Sequence, residues 1–341
     1  MRSRGVSRLR ARRRRGSAGG GLWLASLLLL LLASGRARAV SPMDRAPLAA
    51  SAGRAVAWLR TVQVDPFTGD AMDFRRFVTE VETWHRIWVF ERPGPRKDEA
   101  RREVESRLRR ALDRDRLGAV LDSPGGSEAF TEFALLASRC RIHGLDPGPI
   151  GDALRSREAR LRREVQRVPP SLAALYAVYL PAAGIDPGVD AAALRSRGLL
   201  ASRPDETAMD LAAAYYLTHE IFAYTDYATG ARLDLSPAEG DWLLRVGPFF
   251  TVLYSVLNNI DIVGELLCCL QVAGMRDTYA YREGVRVLLE RQNPDGSFGA
   301  PDPKSLGRPA IPADYLHPTL NAVAVLLREL ASADPGAGES P

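Results

Sequence analysis

The chain has 341 residues, with 46 lysines and arginines against 41 aspartates and glutamates, and its formal net charge is therefore +5. Ten of the arginines lie in residues 1–39, which hold no acidic residue, so the remaining 36 basic residues are outnumbered by the 41 acids and the body has a net charge of −5. Because the basic excess is confined to this leader, the composition does not support nucleic-acid binding by the body, and its 46% hydrophobic content excludes an intrinsically disordered chain.

The leader has the three parts of a secretory signal peptide. An arginine-rich start is followed by the apolar run Leu22–Ala33 and by small residues at 37–39. The run is shorter than the roughly 20 residues that a membrane-spanning helix needs, so we expect cleavage after Ala39 and export. The alternative is translation from Met43, which would leave the protein in the cytoplasm. No later apolar run is long enough to predict a membrane span.

Three cysteines are present, Cys140, Cys268 and Cys269. Their odd number and the adjacency of two of them argue against a disulfide framework. All three lie in apolar stretches, so we expect buried free thiols. Free thiols favour a reducing compartment, which is evidence against export.

Helical periodicity runs through the body. Apolar residues recur at spacings of three and four, and no segment shows the sustained two-residue alternation of a strand. The body is therefore predicted to be all-α. The predicted helices cover residues 46–62, 70–90, 97–121, 128–143, 148–167, 170–183, 188–198, 206–228, 237–256, 258–273, 277–292 and 313–331.

Two turns 40 residues apart share the pattern Gly-Xaa-Asp-Pro-Gly, at Gly144–Gly148 and Gly184–Gly188. In each, the first glycine can end one helix while Asp and Pro suit the start of the next. Later glycines continue a spacing of 40–46 residues, which predicts stacked helical hairpins. We therefore expect residues 45–331 to form one domain of helical hairpins closed into an α/α toroid, either incomplete or a six-hairpin barrel. A disordered tail is expected at 332–341.

The segment Leu289–Gly299 resembles the glutamine/aromatic repeat motif of terpenoid cyclases and protein prenyltransferases, which are α/α toroids. In that motif a helix ends in glutamine, an Asp-Gly turn follows and an aromatic side chain packs back; the matching residues here are Gln292, Asp295, Gly296 and Phe298. The resemblance implies a toroid. The acidic motifs Asp-Xaa-Asp-Asp and Asp-Asp-Xaa-Xaa-Asp, with which those cyclases generate carbocations, are missing, so terpene cyclisation is not expected.

Four segments of the body together resemble an uncharacterised bacterial helical family, a domain of unknown function numbered 6895. They are Trp58-Leu59 with Asp65-Pro66-Phe67, Leu217–Phe222 with Thr225-Asp226, Asp261–Leu267, and His317-Pro318-Thr319. This resemblance implies a toroid-like helical domain and no particular activity.

Polar residues on otherwise apolar helices are the candidates for a functional site. Asp261 and Glu265 are one helical turn apart, and His317 precedes a proline at a predicted helix start. His219 is seven residues before Asp226 and is expected to share a helix face with it. In a toroid with parallel inner helices, Asp261, Glu265 and His317 would cluster at one mouth of the central cavity, with His219 about two turns deeper.

These residues are compatible with three kinds of site. Asp261, Glu265 and His317 could bind a divalent metal, as prenyltransferases bind zinc through Asp, Cys and His, although the Asp-Xaa-Cys of that family is missing here. With His219 they could instead form a metal-free catalytic acid–base set whose pKa values are shifted by burial. The third interpretation is a structural polar network in a scaffold that binds another protein. The ligand is thus predicted to be an unknown small molecule or a protein.

Several common catalytic motifs are absent from the sequence. We find no Walker loop, Gly-rich dinucleotide turn, His-Glu-Xaa-Xaa-His or Gly-Xaa-Ser-Xaa-Gly pattern. Their absence disfavours kinases, NAD enzymes, common metalloproteases and α/β-hydrolases.

Overall fold

Helices form the regular secondary structure of the computed structural model, which describes residues 43–123, 126–230, 232–301 and 310–332. Within these ranges the β-type pairing is limited to one isolated bridge between Gln292 and Phe298. The all-α prediction is confirmed. The predicted leader and residues 333–341 of the predicted tail lie outside the described residues.

The described residues contain fifteen α-helices and several short 3-10 turns. The helices are α1 (Arg45–Leu59), α2 (Ala71–Phe90), α3 (Pro95–Ala111), α4 (Arg114–Asp122), α5 (Phe130–Ile142), α6 (Gly148–Arg155), α7 (Glu158–Arg167), α8 (Pro170–Tyr179), α9 (Ala191–Arg195), α10 (Leu199–Ser202), α11 (Leu211–Tyr224), α12 (Pro237–Val256), α13 (Ile260–Val272), α14 (Tyr279–Glu290) and α15 (Leu316–Ser332). The 3-10 turns are Gly126–Ala129, Leu180–Ala183, Glu206–Ala208 and Pro312–Tyr315.

Two of the long predicted helices are each divided in the structure. The predicted helix 97–121 ends as α3 and restarts as α4 because the Asp113 side chain accepts a hydrogen bond from the Arg116 N–H at 3.3 Å and caps the new helix. The predicted helix 148–167 is interrupted after α6, where the Ser156 hydroxyl donates to the Ala153 carbonyl at 2.8 Å. Both breaks lie within stretches that keep helical periodicity.

The two matching turns have similar backbone geometry at their first glycine and at their aspartate. Gly144 and Gly184 both have φ +70°, a left-handed conformation that favours glycine. In each turn the aspartate accepts a hydrogen bond of 2.9 Å from the backbone N–H two residues on. Each turn thereby ends one helical segment. The first leads directly into α6 at Gly148, whereas α9 begins only at Ala191, after its Asp190 cap.

Six of the helices contact one another in a cyclic order. α2 packs against α15, α15 against α13, α13 against α11, α11 against α8, α8 against α5, and α5 against α2. We call this set the contact cycle. Other helices pack onto its members, with α1 on α15, α3 on α2, and both α12 and α14 on α13. Closure of the whole chain into an α/α toroid remains a prediction.

A buried ion network connects members of the contact cycle. Arg139 of α5 donates from Nε and Nη2 to the two oxygens of Glu82 on α2 at 2.6 and 2.9 Å, and from Nη1 to Asp226 at 2.7 Å. Asp226 lies beyond the end of α11 and has φ +47°. The expectation that it shares a helix face with His219 is therefore wrong, because the helix ends before this residue and its carboxylate binds Arg139.

Candidate functional site

Two adjoining cavities lie among helices of the contact cycle. The smaller, of about 80 Å³, is lined from α2, α5, α11, α13 and α15, and the larger, of about 310 Å³, is lined mainly from α5, α7, α8 and α11. Arg75, Glu132, His219 and Tyr227 belong to both linings. The predicted residues Glu265 and His317 line the smaller cavity, together with His219.

Asp261 and His317 form a hydrogen-bonded pair between α13 and α15. His317 Nδ1 lies 2.6 Å from Asp261 Oδ1, and because the ionised carboxylate can only accept, Nδ1 carries the proton. Asp261 also accepts from the Tyr215 hydroxyl at 2.9 Å and from the Asn321 amide at 3.4 Å. Both oxygens of Asp261 are thus engaged, and the imidazole is held with Nε2 3.7 Å from Glu265 Oε1.

Glu265 is a carboxyl group with no exposed surface. Its Oε2 accepts a hydrogen bond from the Thr218 hydroxyl, whereas its Oε1 has no hydrogen-bond partner among the described residues. A buried oxygen without a partner is costly. This oxygen faces His317 Nε2 across 3.7 Å.

The environment shifts the pKa of each of these three groups. Burial raises the pKa of Glu265 and the negative charge of Asp261 raises it further, to about 8. Burial lowers the pKa of His317, but the charge and hydrogen bond of Asp261 outweigh burial and raise it to about 9. Burial acts to raise the pKa of Asp261, but the charge and hydrogen bond of His317 hold it below its ordinary value. At neutral pH the set therefore consists of a carboxylate, an imidazolium and a protonated carboxyl group.

His219 lies beside Glu265 and is not two turns deeper, because α11 packs directly against α13. Its Nδ1 is 2.7 Å from the Tyr215 carbonyl oxygen and 3.9 Å from Glu265 Oε2. The carbonyl fixes the proton on Nδ1, and burial lowers the pKa of the ring to about 4. His219 is therefore neutral near pH 7 and offers Nε2 as an acceptor.

Three of the predicted residues are arranged so that they could chelate a cation. Asp261, Glu265 and His317 each have a ligand atom within 4.8 Å of the others, and His219 does not belong to this group. Asp261 already accepts hydrogen bonds on both oxygens. The atoms still available are His317 Nε2 and Glu265 Oε1, fewer than the three protein ligands usual in a catalytic zinc site.

The sequence did not single out two polar residues of the site, Thr218 and Asn321. Asn321 follows His317 by four residues, so the one-turn spacing was a usable signal for it. Arg86, which lines the smaller cavity from α2, follows no pattern that distinguishes it from other arginines.

The other two histidines form a separate buried pair. His85 Nδ1 lies 3.1 Å from His143 Nε2, and the Trp88 ring packs against both. Burial lowers the pKa of both imidazoles, that of His143 to about 4. This pair does not line either of the two cavities.

Residues 52–320 match the model of a protein family described as a domain of unknown function, DUF6895. No curated protein and no solved structure gives a significant match. The likeness to terpenoid cyclases and prenyltransferases remains a prediction. None of the described helices combines the length and apolar character that crossing a membrane requires.

Proposed function

The chain belongs to the DUF6895 family, to which no activity is assigned, and we propose that it is an acid–base catalyst acting on a small ligand held in the two cavities. The observation that carries this proposal is the approach of His317 Nε2 to the unpartnered, buried Oε1 of Glu265 at 3.7 Å. A ligand atom placed beside the pair, about 3 Å from each, would contact both groups. Shifted pKa values in a cleft are typical of catalytic sites.

The two groups have complementary roles. Glu265 is the general base, because a carboxylate whose pKa is raised to about 8 is a strong proton acceptor once ionised. His317 is the general acid, because its pKa of about 9 keeps it protonated in the same range. Asp261 positions His317 and stabilises its charge. The rate should therefore follow a bell-shaped pH profile with its maximum between about 8 and 9.

A nuclear magnetic resonance titration of the wild-type protein tests the acid–base pair. We expect the Glu265 carboxyl to titrate near 8 and His317 near 9. In Asp261→Asn the pKa of His317 should fall below its ordinary value, because burial is no longer offset by the negative charge. His143 is the internal control and should not change. Ordinary pKa values, near 4.5 for Glu265 and near 6.5 for His317, would refute the proposal.

A divalent-cation site at Asp261, Glu265 and His317 is the second candidate, supported by their ligand atoms lying within 4.8 Å of one another. Elemental analysis of purified wild type, Glu265→Ala and His317→Ala separates the two functions. Stoichiometric metal in the wild type that is lost in both variants would establish a metal site in place of the acid–base pair.

A protein-binding scaffold is the remaining alternative. In that case the polar residues serve packing alone, and conservative changes such as His317→Gln should alter stability without affecting the turnover of any small molecule. The titration described above also bears on this alternative, because a purely structural network does not need a base and an acid with pKa values of about 8 and 9 side by side.

A further inference from the structure

Arg86 is a buried cation that forms no ion pair with a described acidic residue, although its charge acts to lower the pKa of Glu265. Its side chain has no exposed surface. Its Nη1 donates to Asn321 Oδ1 at 3.2 Å, whereas Nε and Nη2 have no hydrogen-bond partner among the described residues. An arginine carries five N–H donors and is always charged, so leaving two of its nitrogens unpartnered in the interior is costly.

The other buried arginines of the described chain are all paired. Arg76, Arg107 and Arg139 each form ion pairs with two carboxylates. Arg86 forms no ion pair with a described acidic residue. The fold therefore neutralises its buried guanidinium groups as a rule, and Arg86 is the exception.

The guanidinium of Arg86 is also fixed in place. Its central carbon lies 5.7 Å from the Phe222 ring centre and 5.9 Å from that of Tyr227, distances at which a cation is attracted to an aromatic face. Together with the bond to Asn321, these contacts hold the group at the lining of the smaller cavity. A cation that is rigidly held and incompletely hydrogen-bonded is prepared for a ligand.

We propose that Arg86 binds the carboxylate of a small monoanionic ligand in the smaller cavity, through Nε and Nη2. These two nitrogens lie on one edge of the planar guanidinium and match the two oxygens of a carboxylate. The cavity of about 80 Å³ has room for such a group, and the larger cavity that adjoins it has room for the rest of the ligand.

The surrounding charges favour a single negative charge on the ligand. Glu82 and Glu132 line the same cavity, but Glu82 is paired with Arg139 and Glu132 with Arg75 at 2.7 Å. The charge of His317 is balanced by Asp261. The charge of Arg86 is therefore left over, and one carboxylate balances it whereas a doubly charged phosphate exceeds it. One unpaired cation is suited to a monocarboxylate.

The position of Arg86 connects this subsite to the proposed catalytic groups. Asn321 accepts from Arg86 and donates to Asp261 at 3.4 Å, so the bound carboxylate would lie next to His317. The identification of this carboxylate as part of the substrate rests on the proposed acid–base function. The binding of a carboxylate to Arg86 does not depend on that function.

Acetate is the probe, with chloride at the same ionic strength as the reference and phosphate as the competitor class. We expect acetate to raise the melting temperature of the wild type in a saturable manner and to shift the Nε–H resonance of Arg86. In Arg86→Met, acetate should bind at least about tenfold more weakly, since a hydrogen-bonded charged group is lost. Arg328→Met, which removes a partly buried arginine that does not line either cavity, should bind acetate as the wild type does.

Three results would overturn the proposal: no saturable effect of acetate beyond that of chloride, undiminished binding in Arg86→Met, or tighter binding of phosphate than of acetate. If Arg86→Met does not fold, the test is whether acetate shifts the Nε–H resonance of Arg86 in the wild type. Glu265→Gln separates the two proposals, because it removes the catalytic base and leaves Arg86 intact. Acetate binding in wild type and Glu265→Gln, combined with ordinary titration of Glu265 and His317, would refute the catalytic proposal and support the carboxylate site.

Discussion

The protonation of Glu265 couples the candidate site to the stability of the protein. Its pKa is raised from an ordinary 4.5 to about 8 in the folded state. Between these values the folded protein binds more protons than the unfolded chain, so the free energy of unfolding falls as the pH rises. His317 acts in the same direction at higher pH, because its pKa is raised from 6.5 to about 9.

The substitution Glu265→Gln should remove the contribution of Glu265 to the pH dependence of the unfolding free energy. Relative to the variant, the wild type should lose up to roughly 4 kcal/mol of unfolding free energy between pH 5 and pH 8, at about 1.4 kcal/mol for each pKa unit. Urea denaturation at several pH values measures the difference. Glu290→Gln, at an exposed position on α14, is the control and should run parallel to the wild type. A constant difference between wild type and Glu265→Gln would show that Glu265 is ionised in the folded protein.

The sequence signal was sufficient for some residues of the site and insufficient for others. Asp261 and Glu265 could be predicted because two acids one turn apart interrupt an apolar helix, and His317 because it precedes a proline at a helix start. Arg86 could not be predicted, because α2 carries several charged residues and only the tertiary structure separates the unpaired arginine from the paired ones. The predicted depth of His219 was wrong, because the depth depends on the stagger between α11 and α13, which the local sequence does not encode.

At the scale of the helices, the close approach of α13 and α15 places His317 next to Glu265. Gly264 lies between Asp261 and Glu265 on α13, and a Cβ atom there would come within 2.7 Å of Asn321 Cβ on α15. The missing side chain allows the two helices to approach closely enough for the 2.6 Å bond between Asp261 and His317. The geometry of the site therefore depends on Gly264, which has no side chain.

Gly264→Ala tests this dependence. Although alanine favours helix over glycine by roughly 0.5–1 kcal/mol, the overpacking should dominate and lower the unfolding free energy by about 1–3 kcal/mol. The bond between Asp261 and His317 should lengthen, so the pKa of His317 should fall. Gly53→Ala on α1 is the matched control, since no atom lies within 4 Å of the added Cβ, and it should stabilise slightly. A stabilised Gly264→Ala with an unchanged His317 pKa would refute the role of this contact.

The helix boundaries show a similar limit of prediction. The all-α class follows from periodicity, and the two Gly-Xaa-Asp-Pro-Gly turns marked real helix ends. The break between α3 and α4 was missed because Asp113 caps a helix inside a run that continues the helical pattern. A capping side chain competes with the backbone carbonyl groups for backbone N–H donors. The pattern of apolar residues does not show which of the two accepts the hydrogen bond.

At the scale of the whole molecule, the glutamine turn connects the first described helix to the last one. The Gln292 side chain accepts from the Ser51 hydroxyl at 2.8 Å and donates to the Ser51 carbonyl at 2.9 Å, which joins it to α1. The Phe298 N–H donates to the Thr319 hydroxyl on α15 at 3.0 Å. Gly296 has φ +100°, and a Cβ there would meet the Arg54 carbonyl at 2.5 Å. The turn therefore holds α1 against α15.

Gln292→Ala should loosen α1 without disturbing the cavities. α1 lies outside the contact cycle, so removing its hydrogen bonds to the turn should increase amide hydrogen exchange in Arg45–Leu59 and leave α8 and α11 protected. The cost should be about 1–3 kcal/mol, because the buried groups of Ser51 lose their partner. Arg291→Ala, an exposed neighbour in the sequence, is the control and should not change exchange in α1. Faster exchange throughout the contact cycle would instead mean that the six helices do not hold together without α1, which would argue against a self-sufficient inner ring in the predicted toroid.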